Sequence, residues 1–109
     1  MQSNDYSLRY LPLFYNDLEE IVEYISVELN NPDAARRLID AVENAILERK
    51  SQAESFEIFP SKIEREYPYY RIYVANFIVY YVVIHNGDER IMEVRRILYN
   101  KRNMDFLLL

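Results

Sequence analysis

The chain has 109 residues, half of them apolar, eleven of them Tyr and none of them Cys, and its formal net charge is −5. This size and composition predict a single domain over residues 1–109, and they exclude disulfides, thiolate zinc sites and a thiol nucleophile. Because no basic and apolar leader and no apolar run of about 20 residues is present, we expect a cytoplasmic protein with no membrane partner.

The charge is unevenly distributed along the chain. Residues 1–60 carry 12 acidic and 5 basic side chains, whereas residues 61–109 carry 6 acidic and 8 basic ones. The acidic total argues against indiscriminate binding to nucleic acid, which depends on neutralising phosphates. The basic second part leaves room for a local anion-binding patch. With one His and no ligand spacing among the carboxylates, we expect no metal and no other cofactor.

The first half of the chain has a helical pattern. Residues Tyr6–Leu11 predict a strand, and Pro12 suits the first position of a helix that reaches Leu29. Apolar residues mark one stripe of this helix: Phe14, Leu18, Ile21, Val22, Ile25 and Leu29. The acidic residues are interpreted as a solvated face beside that stripe: Asp17, Glu19, Glu20, Glu23 and Glu28.

A second helix follows almost immediately. Asn31 is a good N-cap, Pro32 fits the first helical position, and Asp33 suits the positive helix end, so we expect a helix from there to about Lys50. Its apolar face consists of Ala35, Leu38, Ile39, Val42, Ala45 and Ile46. Two helices joined by so short a turn form an antiparallel hairpin, and each needs a broader apolar surface such as a sheet to cover its stripe.

The sequence pattern of the second half of the chain predicts strands. After a long connection over 51–68, whose Phe56, Ile58 and Phe59 are expected to pack on the core, the strands are predicted at 69–75, 77–85 and 90–98. Asn86-Gly87-Asp88 predicts a hairpin turn, and residues 100–109 predict a short tail with one helical turn. The order β-α-α-β-β-β indicates an α+β fold, with the helix hairpin on one face of a mostly antiparallel four-stranded sheet.

Five segments together resemble the RelE/ParE toxin superfamily, over residues 6 to about 108. They are Asp17-Leu18-Glu19-Glu20-Ile21 followed by Tyr24-Ile25, then Asn31-Pro32-Asp33-Ala34-Ala35, Tyr70-Arg71-Ile72, Val74-Ala75-Asn76-Phe77-Ile78-Val79-Tyr80-Tyr81, and Arg96-Ile97-Leu98-Tyr99-Asn100-Lys101-Arg102-Asn103. In the last segment, Tyr99 stands where many members have His, and Asn103 where many have Asp. Both differences remove groups that ionise near neutral pH.

The resemblance implies the toxin of a type II toxin–antitoxin pair that aids plasmid stabilisation and inhibits bacterial growth. RelE-like members cut mRNA on the ribosome, whereas ParE-like members poison DNA gyrase without a known bond cleavage by the toxin. The acidic balance and the missing His favour the ParE-like activity slightly. The alternatives are a RelE-like endoribonuclease and a degenerate, non-toxic module that still binds the antitoxin. The expected partners are a cognate antitoxin and either gyrase or the ribosome with its mRNA, in a homodimer or a toxin–antitoxin hetero-oligomer.

RNA cleavage by 2′-hydroxyl attack would need a proton acceptor, a proton donor and cations at the phosphate. The catalytic candidates are Arg71, Arg96, Tyr99 and His85. The candidates for binding an anion or the target are Arg95, Lys101 and Arg102. Each candidate also has a purely structural interpretation: a turn-flanking His, a packed Tyr, or an Arg paired with a nearby acid. Arg95 and Arg96 are consecutive on a strand, so they are expected on opposite faces of the sheet.

Overall fold

The computed structural model describes residues 6–60 and 65–100. Strand β1 (Ser7–Tyr10) leads into helix α1 (Pro12–Glu23), which continues as a π-helical turn (Tyr24–Glu28). Helix α2 (Pro32–Arg49) ends in a short 3₁₀ turn (Lys50–Gln52). Strands β2 (Tyr70–Val74), β3 (Phe77–Asn86) and β4 (Glu89–Tyr99) follow. The predicted order β-α-α-β-β-β is therefore confirmed.

The four strands form one mixed sheet in the order β1-β4-β3-β2. The β2–β3 and β3–β4 pairs are antiparallel, whereas β1 runs parallel to β4. The prediction of a mostly antiparallel sheet is confirmed. The topology places the last strand in the interior of the sheet, between the first and the third.

The helix hairpin covers one face of the sheet, as predicted. Buried side chains of both helices pack there against inward side chains of β2, β3 and β4: Phe14, Leu38, Val42, Ile46, Ile72, Val79, Tyr81, Met92, Val94 and Ile97. Helix α2 begins as its sequence predicts, because the Asn31 side chain accepts a hydrogen bond from the Ala34 N–H and Pro32 occupies the first turn.

The opposite side of the sheet, which we call the open face, carries a second and smaller apolar cluster. Its buried members are Tyr69, Ile78, Tyr80, Val82 and Leu98. Phe59 and Tyr67 of the long connection pack against this cluster. The expectation that the whole apolar part of the connection packs on the core is wrong for Phe56 and Ile58, which are 42% and 45% exposed.

Two further expectations fail in the first helix. The Asp17 side chain is buried and not solvated, and Leu29 is 56% exposed and not part of the buried stripe. The cause at Leu29 is the π-helical turn, because an i→i+5 turn changes the direction in which following side chains point.

Both hairpin turns contain two residues and a residue with positive φ. Asn86 pairs with Glu89, so the β3–β4 turn consists of Gly87 and Asp88, with Gly87 at φ +63°. The β2–β3 turn consists of Ala75 and Asn76, and Ala75 has φ +51°. Among the described residues, no helix is long and apolar enough to cross a membrane.

Candidate functional site

The sheet register places two of the predicted site residues in one row. Arg71 of β2 pairs with Tyr80 of β3, and Tyr80 pairs with Arg96 of β4. Neighbouring strands lie about 4.8 Å apart, so the backbones of Arg71 and Arg96 are about 10 Å apart. Because register partners point to the same side of a sheet, this row belongs to the open face with Tyr80. We call Arg71, Tyr80, Arg95 and Arg96 the arginine row.

Arg95 joins the row because of a β-bulge. Tyr81 pairs with Val94 and Tyr80 with Arg96, which leaves Arg95 as the extra residue. Its guanidinium lies 5.8 Å from the centre of the Tyr69 ring, in the open-face cluster. The expectation that Arg95 and Arg96 point to opposite faces is therefore wrong, since a bulge interrupts the alternation of side chains.

Arg96 is held by a carboxylate from the first helix. Its Nε and Nη2 donate to the Oδ2 and Oδ1 atoms of Asp17 at 2.7 and 2.8 Å. The backbone N–H of Ile97 donates to the same carboxylate at 3.2 Å. The hydrogen bond to Asp17 raises the pKa of Arg96 further, against the opposing effect of burial. This pair ties α1 to β4, so Arg96 has a structural role here.

Arg95 is also engaged with an acid. Its Nε donates to Oε1 of Glu93 at 2.9 Å, and Glu93 is 4% exposed. Arg9 of β1 donates from Nε to the other oxygen of Glu93 at 2.7 Å. Burial works against the charged form of Arg95, but its hydrogen bonds to Tyr69 and Glu93 outweigh burial and raise its pKa.

Arg71 differs from the other two arginines of the row. Its guanidinium lies 4.9 Å from the ring centre of Phe59 and 5.7 Å from that of Tyr73. Among the residues that the structure describes, no carboxylate forms an ion pair with Arg71. Stacking on aromatic rings holds the guanidinium in place, and a guanidinium held in this way can bind an anion or a protein carboxylate.

His85 lies away from the arginine row, near the β3–β4 turn. Five residues separate it from Tyr80, or about 17 Å along the strand. Its Nε2 lies 3.0 and 3.1 Å from the two carboxylate oxygens of Glu54, and the Tyr6 hydroxyl donates to Oε1 of Glu54 at 2.9 Å. Burial raises the pKa of Glu54, but the hydrogen bonds from His85 and Tyr6 outweigh it and lower that pKa overall.

Tyr99 lies at the far end of β4 and is 55% exposed. Its ring meets that of Phe77 edge to face, with the centres 5.9 Å apart. The sheet therefore brings Arg71, Arg95 and Arg96 together, and it keeps His85 and Tyr99 at opposite ends. Lys101 and Arg102, the other predicted anion-binding residues, lie outside the described residues.

Sequence reasoning missed the three acids that organise this region: Asp17, Glu54 and Glu93. A signal existed for Asp17, because it follows Phe14 by three residues and precedes Ile21 by four, which places it on the buried stripe. For Glu93 the signal was weaker, a single acid between the apolar Met92 and Val94 in the middle of a strand. For Glu54 the sequence holds no signal that we can identify.

The arginine row can bind an anion or a protein carboxylate, but its described groups are poorly suited to proton transfer. It offers guanidinium groups and the phenol of Tyr80, and its nearest carboxylates, Asp17 and Glu93, are buried and bound to arginines. In the described parts of the chain, no three His, Asp or Glu side chains come close enough together to hold a metal ion.

Comparison with known proteins gives one family. The family described as the ParE toxin of the type II toxin–antitoxin system parDE matches residues 8–104. Among solved structures, a chain of the chromosomal ParDE system of P. aeruginosa has a TM-score of 0.66 at 16% identity, covering 91% of this chain and 100% of its own. The YoeB/ParE toxin of Agrobacterium tumefaciens has a TM-score of 0.51 at 17% identity, with 87% and 99% covered. No curated protein matches.

Proposed function

Because the chain belongs to the family of ParE toxins of type II toxin–antitoxin systems, we propose that it arrests growth by binding DNA gyrase, without cutting RNA. A toxin of this family acts as one half of a pair whose other half is an antitoxin. We propose that the two form a hetero-oligomer in the cytoplasm, and that the arginine row belongs to the surface that meets the target.

The main support for this proposal is the way in which the ionisable side chains of the open face are paired. RNA cleavage by a toxin needs a group that takes the 2′-hydroxyl proton and a group that protonates the leaving oxygen. In the described part of the arginine row, the acids are bound to guanidinium groups, and the chain's one His lies about 17 Å away beside Glu54. Such a surface favours recognition over acid–base catalysis.

The charge balance supports a protein target. The net charge of −5 would repel the phosphates of ribosomal RNA, whereas a protein surface has no such continuous row of negative charges. Arg71 suits such an interface, because Arg and aromatic residues are enriched among those that contribute most binding energy between proteins, and Arg71 lies against Phe59.

The test follows DNA and protein synthesis separately after induced expression in a bacterial host. We expect incorporation of labelled thymidine to fall first while incorporation of labelled leucine continues. If leucine incorporation falls first, the endoribonuclease activity replaces this proposal. If neither falls, the chain is a degenerate module that binds an antitoxin only, and the proposal is likewise rejected.

A second experiment addresses the surface with purified gyrase and its DNA-supercoiling reaction. Truncating an Arg that is a hot spot of an interface costs about 2 kcal/mol or more, so Arg71→Ala should raise the inhibitory concentration at least about tenfold. The matched control is Arg37→Ala, an exposed position on α2 that is remote from the open face. Equal inhibition by both variants would place the target-binding surface elsewhere.

A further inference from the structure

A pocket of about 300 Å³ lies where the end of α2 and the start of the long connection meet β2, the edge strand of the sheet. Its walls combine apolar and polar side chains, among them Ala45, Arg49, Gln52, Phe56, Ile72 and Tyr73. None of the four residues of the arginine row lines it. The pocket is therefore a site separate from the arginine row.

The Arg49 guanidinium is fixed in this pocket by a ring and by two acceptors. Its carbon lies 3.5 Å from the centre of the Phe56 ring. Its Nη1 donates to the Arg71 carbonyl at 3.0 Å and to the Tyr81 hydroxyl at 2.9 Å. The Tyr81 hydroxyl donates in turn to the Ala53 carbonyl at 2.6 Å. A guanidinium held in this way has already lost much of the freedom that a ligand would otherwise have to restrict.

The positive charge of Arg49 has no carboxylate partner among the residues that the structure describes. Both of its hydrogen bonds use Nη1, and both acceptors, a carbonyl and a phenol, are uncharged. Its Nε and Nη2 donate to no described group, and because no buried side-chain nitrogen there lacks an acceptor, these two atoms are accessible to solvent. Arg96 uses the same two atoms to hold Asp17. Arg49 therefore has unused the pair of donors that elsewhere in this chain binds a carboxylate.

We propose that this pocket is a binding site for a carboxylate, which accepts hydrogen bonds from Nε and Nη2 of Arg49. Two parallel N–H groups of a guanidinium match the two oxygens of a planar carboxylate. The apolar walls suit the carbon atoms attached to that carboxylate, and Phe56 and Tyr73 are 42% and 58% exposed, so their rings are available for contact. The ligand class is therefore a carboxylate on an apolar body.

The charges around the pocket favour a carboxylate over a phosphate. Glu48 is exposed and also lines the pocket, so its charge and that of Arg49 add up to zero. A phosphate ester carries close to two negative charges at neutral pH. The second charge gains little attraction from such a site and costs further desolvation. A singly charged anion avoids this cost.

The carboxylate has two sources that fit the position of the pocket: a free small acid, and an Asp or Glu side chain of another protein. In the described part of the chain, the outer side of β2 pairs only with Ile58, at Tyr70. Backbone groups on the outer side of an edge strand are available to an extended segment. A protein segment would therefore gain main-chain hydrogen bonds beside Tyr73 that a free acid does not make.

The test follows the arginine Nε–H signals of the ¹⁵N-labelled chain by NMR while sodium benzoate is added at constant ionic strength. We expect the Arg49 signal to shift and to saturate with a Kd of about 1 mM, as one charged contact with a small apolar body provides. Arg37 is exposed on the same helix and does not line the pocket, so its signal is the internal control. An unmoved Arg49 signal, or an equal shift at Arg37, would overturn the proposal. Inorganic phosphate should shift Arg49 less than benzoate, and a larger shift would reject the carboxylate.

Two substitutions test the geometry, with the backbone amide of Tyr73 as the reporter. Arg49→Lys keeps the charge but loses the planar pair of donors, so the Kd for benzoate should rise at least about tenfold. Phe56→Ala removes the stacked ring, and the Kd should rise about two- to fivefold. Leu47→Ala, at an exposed position of α2 outside this pocket, is the control and should bind as the parent chain does. Circular dichroism verifies folding. If Arg49→Lys does not fold, the exposed Phe56 position carries the test, and an unchanged Kd there would contradict the proposal.

A blocked five-residue peptide with a central Glu between Val and Ala residues identifies the source. If it binds more tightly than propionate and also shifts the backbone amide of Tyr73, the carboxylate belongs to a protein segment. If it binds no more tightly than propionate, the ligand is a free small acid. Either result supports a carboxylate site. Equal binding by the same peptide with Gln in place of the Glu would overturn the proposal, because the carboxylate would then contribute nothing.

Discussion

Removal of the Asp17 carboxylate should decrease the free energy of unfolding more than the substitution of any exposed residue of α1. In Asp17→Ala, the Arg96 guanidinium would lose both hydrogen bonds while its side chain is only 18% exposed. Breaking a buried ion pair on one side costs about 3–5 kcal/mol. A buried N–H left without an acceptor, here that of Ile97, costs about 1–3 kcal/mol.

The two costs together would give about 4–8 kcal/mol, but the expected loss lies below this range, because the Arg96 side chain can turn partly toward water. We expect a decrease in the free energy of unfolding of about 3 kcal/mol. For a domain near 100 residues, this corresponds to a melting temperature lower by about 10–20 °C. Asp17→Asn keeps one oxygen for the Ile97 N–H but loses the charge, so it should cost about half as much.

Urea unfolding followed by far-ultraviolet circular dichroism measures these differences. Glu19→Ala, at an exposed position of the same helix, is the control and should change stability by less than about 0.5 kcal/mol. A cycle with Arg96→Met should give a coupling energy of at least about 1 kcal/mol, since the two side chains are in contact. A loss below about 1 kcal/mol for Asp17→Ala would refute the argument that this carboxylate ties α1 to β4.

Three further predictions concern stability. Ala75→Gly should raise the free energy of unfolding by about 0.5–1 kcal/mol, because φ +51° costs Ala more than the added chain entropy of Gly, and a lower urea midpoint would contradict this. Glu54 has a lowered pKa in the folded chain, so its contribution to the free energy of unfolding is present above its ordinary pKa of 4.5 and is lost as the pH falls through the folded value. Glu54→Gln should therefore make stability depend less on pH on the acid side. If the stability–pH curves of the variant and the parent chain are parallel, this expectation is wrong. Asn31→Ala should cost about 1 kcal/mol through the lost bond to the Ala34 N–H, whereas Asn44→Ala, exposed within α2, should not destabilise; equal losses in denaturant titrations would show that the cap contributes little.

The order and type of the elements were predictable because they depend on local patterns. The apolar spacing of α2, its Asn31 cap and the Gly87 turn all act within a few residues, and each of the three elements is present in the structure. The β3–β4 turn lies one residue later than the Asn-Gly pattern suggests, because Asn86 still pairs with Glu89.

The candidate site was only partly predictable, because its geometry depends on contacts between distant residues. The sequence suggested Arg71 and Arg96, and the register brings them into one row. It contained no sign of the bulge at Arg95, which arises from the fit of β4 against β3, nor of the contact between Asp17 and Arg96, 79 residues apart. The spacing of Asp17 from Phe14 and Ile21 is a sign of its burial, but it does not identify Arg96 as the partner, because that contact depends on how α1 approaches β4.

The parallel pairing of the first strand with the last has a consequence for how the protein is made. Arg9 and Glu93 are 84 residues apart, and β4 is the interior strand against which both β1 and β3 pair. At about 5–20 residues per second, a ribosome needs about 4–17 s to extend the chain from one to the other. During that time the helix hairpin and the β2–β3 hairpin can form, but the sheet cannot close. The arginine row therefore cannot form before the ribosome has synthesised β4.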